Sequence, residues 1–131
     1  MALNLRDIGV FRPYDNEVPE DLLWAEQFDE TTVDRWLSAE MVRVAKLGEA
    51  VLAIYAMDRG DGETYLLHGA IVASAWRLQG LGRWLVGHAI GVAESKGARH
   101  VLYPGEQAKR FLGAIGFVEH SDGQRFDLIP E

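Results

Sequence analysis

The stretch Val72-Ala73-Ser74-Ala75-Trp76-Arg77-Leu78-Gln79-Gly80-Leu81-Gly82 constrains this chain more than any other. An apolar run, Tyr65-Leu66-Leu67-His68-Gly69-Ala70-Ile71-Val72, leads into it and reads as a buried strand over 64–73. Behind it Leu81, Trp84, Leu85, His88, Ala89 and Val92 recur at helical spacing, which predicts a helix over 80–96 with one buried face. Strand, glycine turn and helix in that order make an anion cradle. Gly80 and Gly82 admit an anion to the backbone without a Cβ in the way. Residues from Arg77 to Arg83 can then aim successive N–H groups at one point, where the positive end of the helix dipole also lies. A ligand carrying a diphosphate is the leading expectation. A dinucleotide fingerprint would need a third glycine where Leu85 stands, and a nucleoside-triphosphate loop would need Lys-Ser or Lys-Thr where Gly87 is followed by His88-Ala89. Neither is present.

The 131 residues, 48% hydrophobic and 25% charged, suffice for one core and are expected to form a single domain over 1–131. The chain has no cysteine, which removes disulfides, thiolate catalysis and Cys-based zinc sites. No stretch approaches the roughly 18 apolar residues of a membrane span, and the N-terminus lacks a leader-like apolar segment, so a soluble, cytoplasmic protein is expected. The net charge of −7 lies wholly in residues 1–40, which carry ten acids and three bases. That balance disfavours nonspecific nucleic-acid binding, which rests on basic patches.

Along the chain, α and β patterns alternate without repeats. Residues 4–13 read as a strand. Pro19 followed by Glu20-Asp21-Leu22-Leu23 opens a helix, and Thr31 or Thr32 caps a second one through Trp36-Leu37. Met41 to Leu47 and Ala50 to Met57 form a hairpin about Gly48-Glu49, and Arg59-Gly60-Asp61-Gly62 turns into the 64–73 strand, giving an antiparallel meander. Gly97 is placed to end the 80–96 helix in the left-handed conformation, and His100 to Tyr103 is a strand expected beside 64–73. A helix over about 105–115 puts Ala108, Phe111, Leu112 and Ile115 on one face, and strands over 117–120 and 124–129 close the chain.

At this point the chain resembles the GNAT superfamily of acyl-CoA-dependent N-acyltransferases. The family's central motif is an apolar strand ending in Val, four residues, then Arg or Gln-x-x-Gly-x-Gly or Ala, and it is matched by Val72, Arg77, Gly80 and Gly82. A second signature, Ala-x-x-Phe-Tyr followed by Gly-Phe, is similar to Ala108-Lys109-Arg110-Phe111-Leu112 and Gly116-Phe117. The resemblance implies a mixed α/β fold: a mostly antiparallel sheet of six to seven strands, about four helices, and a splayed strand pair that holds acyl-CoA. It implies acetyl-CoA as cosubstrate, with no metal, and a primary amine of a small molecule or peptide as acceptor. Homodimerisation is left open.

By the same resemblance Ile71, Val72, Arg77, Leu78, Gln79, Gly80, Leu81, Gly82, Arg83, Ala108 and Phe111 bind the cofactor, the Val72 N–H meeting the thioester carbonyl. Gly69 marks either a bulge that starts the splay or a plain packing glycine. The family's usual general acid is a tyrosine directly after the phenylalanine, and this chain has Leu112 there. Substitutes are His68, four residues before Val72 and therefore expected on the same strand face, and Tyr103, at the end of the other splayed strand. Each also has a structural reading, as a core histidine and as interface packing. Tyr65 is expected to face away from Val72. The acids of the front helices are either solvated faces or an attraction for a cationic amine. Two functions fit: an N-acetyltransferase, or a CoA-binding module that acts on a partner protein, to which Leu112 is congenial.

Overall fold

The computed structural model describes residues 4–14, 17–19, 21, 29–104 and 108–128. A 3-10 turn at Leu5–Asp7 precedes β1 (Gly9–Phe11), followed by α1 (Glu30–Leu37), β2 (Met41–Leu47), β3 (Ala50–Arg59) and β4 (Thr64–Val72). A second 3-10 turn at Ser74–Trp76 leads to α2 (Leu81–Ser95), then β5 (His100–Tyr103), α3 (Lys109–Ile115), β6 (Val118–His120) and β7 (Gly123–Asp127). The seven strands form one sheet in the order β1-β2-β3-β4-β5-β7-β6. Every neighbouring pair is antiparallel except β4 with β5.

The fold class and the meander agree with the sequence reading, and the element bounds differ in instructive ways. Three helices are present among the described residues, and the expected helix after Pro19 lies outside them. α1 is capped by Asp29, whose carboxylate accepts from the Thr32 N–H at 2.7 Å, and not by Thr31 or Thr32. A carboxylate at the N-cap also meets the helix dipole favourably, and these contacts hold the Asp29 pKa below its ordinary value. At the far end of α2, Gly97 adopts φ +91°, and the Ala98 N–H reaches the Ala93 carbonyl at 3.0 Å. This pairing satisfies carbonyls that the helix leaves open.

Two cores flank the sheet. On one face Leu81, Leu85, Val86, Ala89 and Ala93 of α2 pack against Ala53, Tyr55, Met57, Tyr65 and Leu67. On the other, Val33 and Trp36 of α1 pack against Val44, Ile54, Ala56 and Ile71. Burial of each large aliphatic side chain is worth about 1.5–3 kcal/mol, so the α2 stripe alone fixes the helix on the sheet. Under α2 the Tyr55 hydroxyl lies 3.1 Å from His88 Nδ1, with Arg43 opposite Tyr55 in the ladder. Burial pushes the Tyr55 phenol up to about 12.

Burial and then the Arg43 charge lower the His88 pKa from its ordinary value. Below about pH 6.5 the unfolded chain therefore takes up a proton that the folded chain refuses. Stability is full above that pH and falls as pH drops toward the folded pKa. The expected outcome is a Tm that declines between pH 7 and 5.5, with a shallower decline in His88→Gln, measured by thermal unfolding; equal slopes would contradict it.

Candidate functional site

The site forms where β4 and β5 part. Their parallel pairing covers only Thr64, Tyr65 and Leu66 against His100, Val101 and Leu102. Among the described residues, β4 has no strand partner on that side from Leu67 to Val72. Along its other edge the Ala73 N–H donates to the Leu52 carbonyl at 2.8 Å, while Val72 pairs with Ala53 and Ile71 with Ile54. Hydrogen-bonded and non-hydrogen-bonded pairs alternate in an antiparallel ladder, so the main-chain groups of Ala70 and Val72 point away from β3 into the gap.

Within β4 the register shifts: Met57 pairs with Leu67, and Ala56 with Gly69. His68 is the extra residue of a β-bulge. Gly69 has φ +150°, and a Cβ there would lie 3.0 Å from Cζ2 of the buried Trp36. The bulge reading of Gly69 is thus the one the structure adopts. It also resets the alternation of side chains, which corrects two expectations. His68 turns to the α1 face, where its Nε2 lies 2.7 Å from Asp58 Oδ2, while Val72 packs with the α2 core. Tyr65 shares that α2 core with Val72 instead of facing away from it.

Beyond the gap, the chain makes the turn between strand and helix. Leu78 takes φ +65° and is fully exposed, and Gly80 takes φ +81° as the N-cap of α2. A left-handed leucine costs about 1–2 kcal/mol, a strain held in the turn that lines the cavity. The Arg77 Nε donates to the Val72 carbonyl at 2.9 Å and ties the turn back to the end of β4. The Leu81, Gly82 and Arg83 amides open the helix, where no carbonyl of a preceding turn exists to receive them.

A cavity of about 520 Å³ joins turn and gap. Of the residues the sequence reading singled out, His68, Ile71, Val72, Arg77, Leu78, Gly80, Gly82, Arg83, Tyr103, Ala108 and Phe111 line it. Two expected residues do not. Leu81 is buried in the α2 core, because the first helical turn directs its side chain inward, and Gln79 stands beside the wall and not in it. Sequence reasoning missed the site roles of Trp36, Leu67, Gly69, Ala70, Trp76, Val86 and Leu112 in the lining. Leu112 is also core, only 3% exposed, so it fills space in the position where a proton donor was sought. Gly82 leaves room for Phe111, whose Cζ would stand 3.4 Å from a Cβ at that position. The half-buried Tyr103 has its phenol pKa raised by burial. Among the described residues no cluster of histidine and acidic side chains is arranged to hold a metal, and no helix is long and apolar enough to cross a membrane.

Comparison with known proteins agrees with this geometry. The model of the acetyltransferase (GNAT) family matches residues 11–117. A search of the curated proteins found no match. Among solved structures, a GNAT family acetyltransferase from Elizabethkingia anophelis with acetyl-CoA bound superposes with a TM-score of 0.77 at 18% identity, covering 93% of this chain and 99% of that one. A GNAT family acetyltransferase from Brucella melitensis in complex with acetyl-CoA gives 0.72 at 17% identity, over 95% and 90% of the two chains. An IAA acetyltransferase from Bacillus cereus gives 0.74 at 21%, over 87% and 79%. At these identities the likeness is one of fold.

The bulge yields a direct test. Gly69→Val should lower the unfolding free energy by about 1–3 kcal/mol, because the side chain meets Trp36 and the backbone angle disfavours an L residue. An unchanged urea midpoint would show that Trp36 and the strand yield freely.

Proposed function

Because this chain belongs to the GNAT acetyltransferase family, we propose that it transfers an acetyl group from acetyl-CoA to a primary amine of a small molecule or peptide, by direct attack within a ternary complex. The observation that supports this reading is one cavity shared by gap and turn: the Val72 N–H faces the opening on β4, and Gly80, Gly82 and Arg83 at the start of α2 line the same cavity.

The residues present fit the cosubstrate. The turn over Arg77–Arg83 supplies main-chain donors and two arginines for a diphosphate, and Gly80 and Gly82 keep that approach free of side chains. Pantetheine then lies along the open edge of β4, where unpaired main-chain groups accept it as a further strand. At the end of that strand the Val72 N–H stabilises the oxyanion that forms as the amine attacks.

Two proton movements complete the reaction. An amine of lysine type, with a pKa near 10.4, gives its ammonium proton to solvent before it meets the thioester, and the neutral amine must then yield a further proton to a base as the C–N bond forms. His68 lines the cavity on the α1 side and is that base. When the C–N bond has formed, the C–S bond breaks and the thiolate needs a proton. Tyr103 at the end of β5 supplies it; burial raises its pKa and keeps the phenol protonated at neutral pH. Leu112 packs beside them and takes no part in proton transfer.

Binding and turnover are tested separately. Acetyl-CoA at 100 times its Kd should stabilise the native protein by about 2.7 kcal/mol. Gly82→Trp, which fills the space beside Phe111 and Val72, should abolish that thermal shift in a protein that still folds; a retained shift would remove the cradle. His68→Ala should lower thiol release with a panel of primary amines about 100-fold while acetyl-CoA affinity stays within about twofold. Wild-type rates in that variant would remove His68 from the mechanism.

A further inference from the structure

The cavity wall includes His68 but not the group that holds it. Asp58 sits on β3 opposite Leu66, and His68, two residues beyond Leu66 on β4, lies on the same side of the sheet. His68 Nε2 and Asp58 Oδ2 are then 2.7 Å apart, with the His68 side chain 11% exposed and that of Asp58 27%. The second carboxylate oxygen is also committed: the Glu40 N–H donates to Oδ1 at 2.9 Å. Asp58 is therefore clamped from the chain segment that enters β2, and both of its oxygens have defined partners.

This arrangement dictates which nitrogen of His68 is basic. An ionised carboxylate can only accept, so the hydrogen of the neutral imidazole resides on Nε2, and the lone pair is left on Nδ1. We propose that Asp58 is a positioning residue for the acetyl transfer: it holds His68 as the Nε2–H tautomer, leaves Nδ1 to take the proton of the acceptor amine, and stabilises the imidazolium that results. The proposal rests on the acetyltransferase reading above. In the step, the amine nitrogen forms its bond to the acetyl carbon and yields its proton to His68 Nδ1; the C–S electron pair leaves with sulfur, which takes the Tyr103 proton. Solvent then returns the imidazolium proton to the tyrosinate, so neither residue is consumed. Asp58 is not among the residues that line the cavity and acts through His68.

Asp58→Asn discriminates this role from simple support. The Glu40 N–H still demands an oxygen, which retains Oδ1 of the asparagine and turns its NH₂ toward His68. His68 must then accept at Nε2, and its hydrogen moves to Nδ1, where the amine proton was to go. Nitrogen-15 NMR of histidine-labelled protein at pH 8.5, with His68→Gln identifying the His68 signals, reads the tautomer without any acceptor. The expected result is Nε2–H in the wild type and Nδ1–H in Asp58→Asn. The same tautomer in both proteins, or Nδ1–H in the wild type, overturns the proposal. In thiol-release assays Asp58→Asn should lower kcat about 100-fold while the KM for acetyl-CoA stays within about twofold. Wild-type release that persists unchanged in Asp58→Asn sinks the Asp58 role alone. A wild-type protein that releases no CoA thiol with any amine overturns the acetyltransferase reading, and this inference with it.

Discussion

The pairing of β4 with β5 ends at Leu66 and Leu102, and the rest of the site depends on that interruption. A sheet interior normally leaves no main-chain group without a partner, because an unpaired buried amide forfeits a hydrogen bond to water. Here the segment Leu67–Val72 has its far edge turned to a cavity, and the cost is tolerable only where a ligand or solvent can reach those groups. The opening needs β4 to be secured from elsewhere. Its full antiparallel ladder with β3 provides that, along with Leu67 and Val72 in the α2 core and Ile71 against α1.

The bulge at His68 and Gly69 gives the opening its chemistry. One additional residue in β4 divides the strand into two stretches of opposite alternation. Upstream and downstream apolar side chains can both face α2, while His68 is brought round to Asp58 and Gly69 is pressed against Trp36. Both faces of the sheet beside the gap are thus furnished by one strand.

At the other end of the cavity, strain and order are combined in a few residues. Leu78 and Gly80 both have positive φ, and Arg77 bonds back to the Val72 carbonyl. The turn is therefore held by its own main chain and by α2, whose stripe of Leu81, Leu85 and Val86 seats the helix on the sheet.

Much of this was legible in the amino-acid order. The apolar run to Val72, the two glycines and the periodicity of α2 are local patterns, and local sterics and hydrophobic spacing decide them; so the strand, the turn and the helix could be read directly. The mixed, mostly antiparallel sheet of seven strands agrees with the six to seven that the family resemblance implied. What the chain could not disclose is any relation that crosses elements. Strict alternation put His68 with Val72, and only the β3 ladder, with Ala56 against Gly69, shows that the count slips by one residue. Asp58, ten positions from His68, and Trp36, on another helix, enter the site because the sheet brings them there. Leu112 could be seen as no proton donor from its identity, but its part in the core is a matter of packing. Backbone conformation follows from near neighbours along the chain, whereas a hydrogen bond or a tautomer is settled by atoms that meet only after folding.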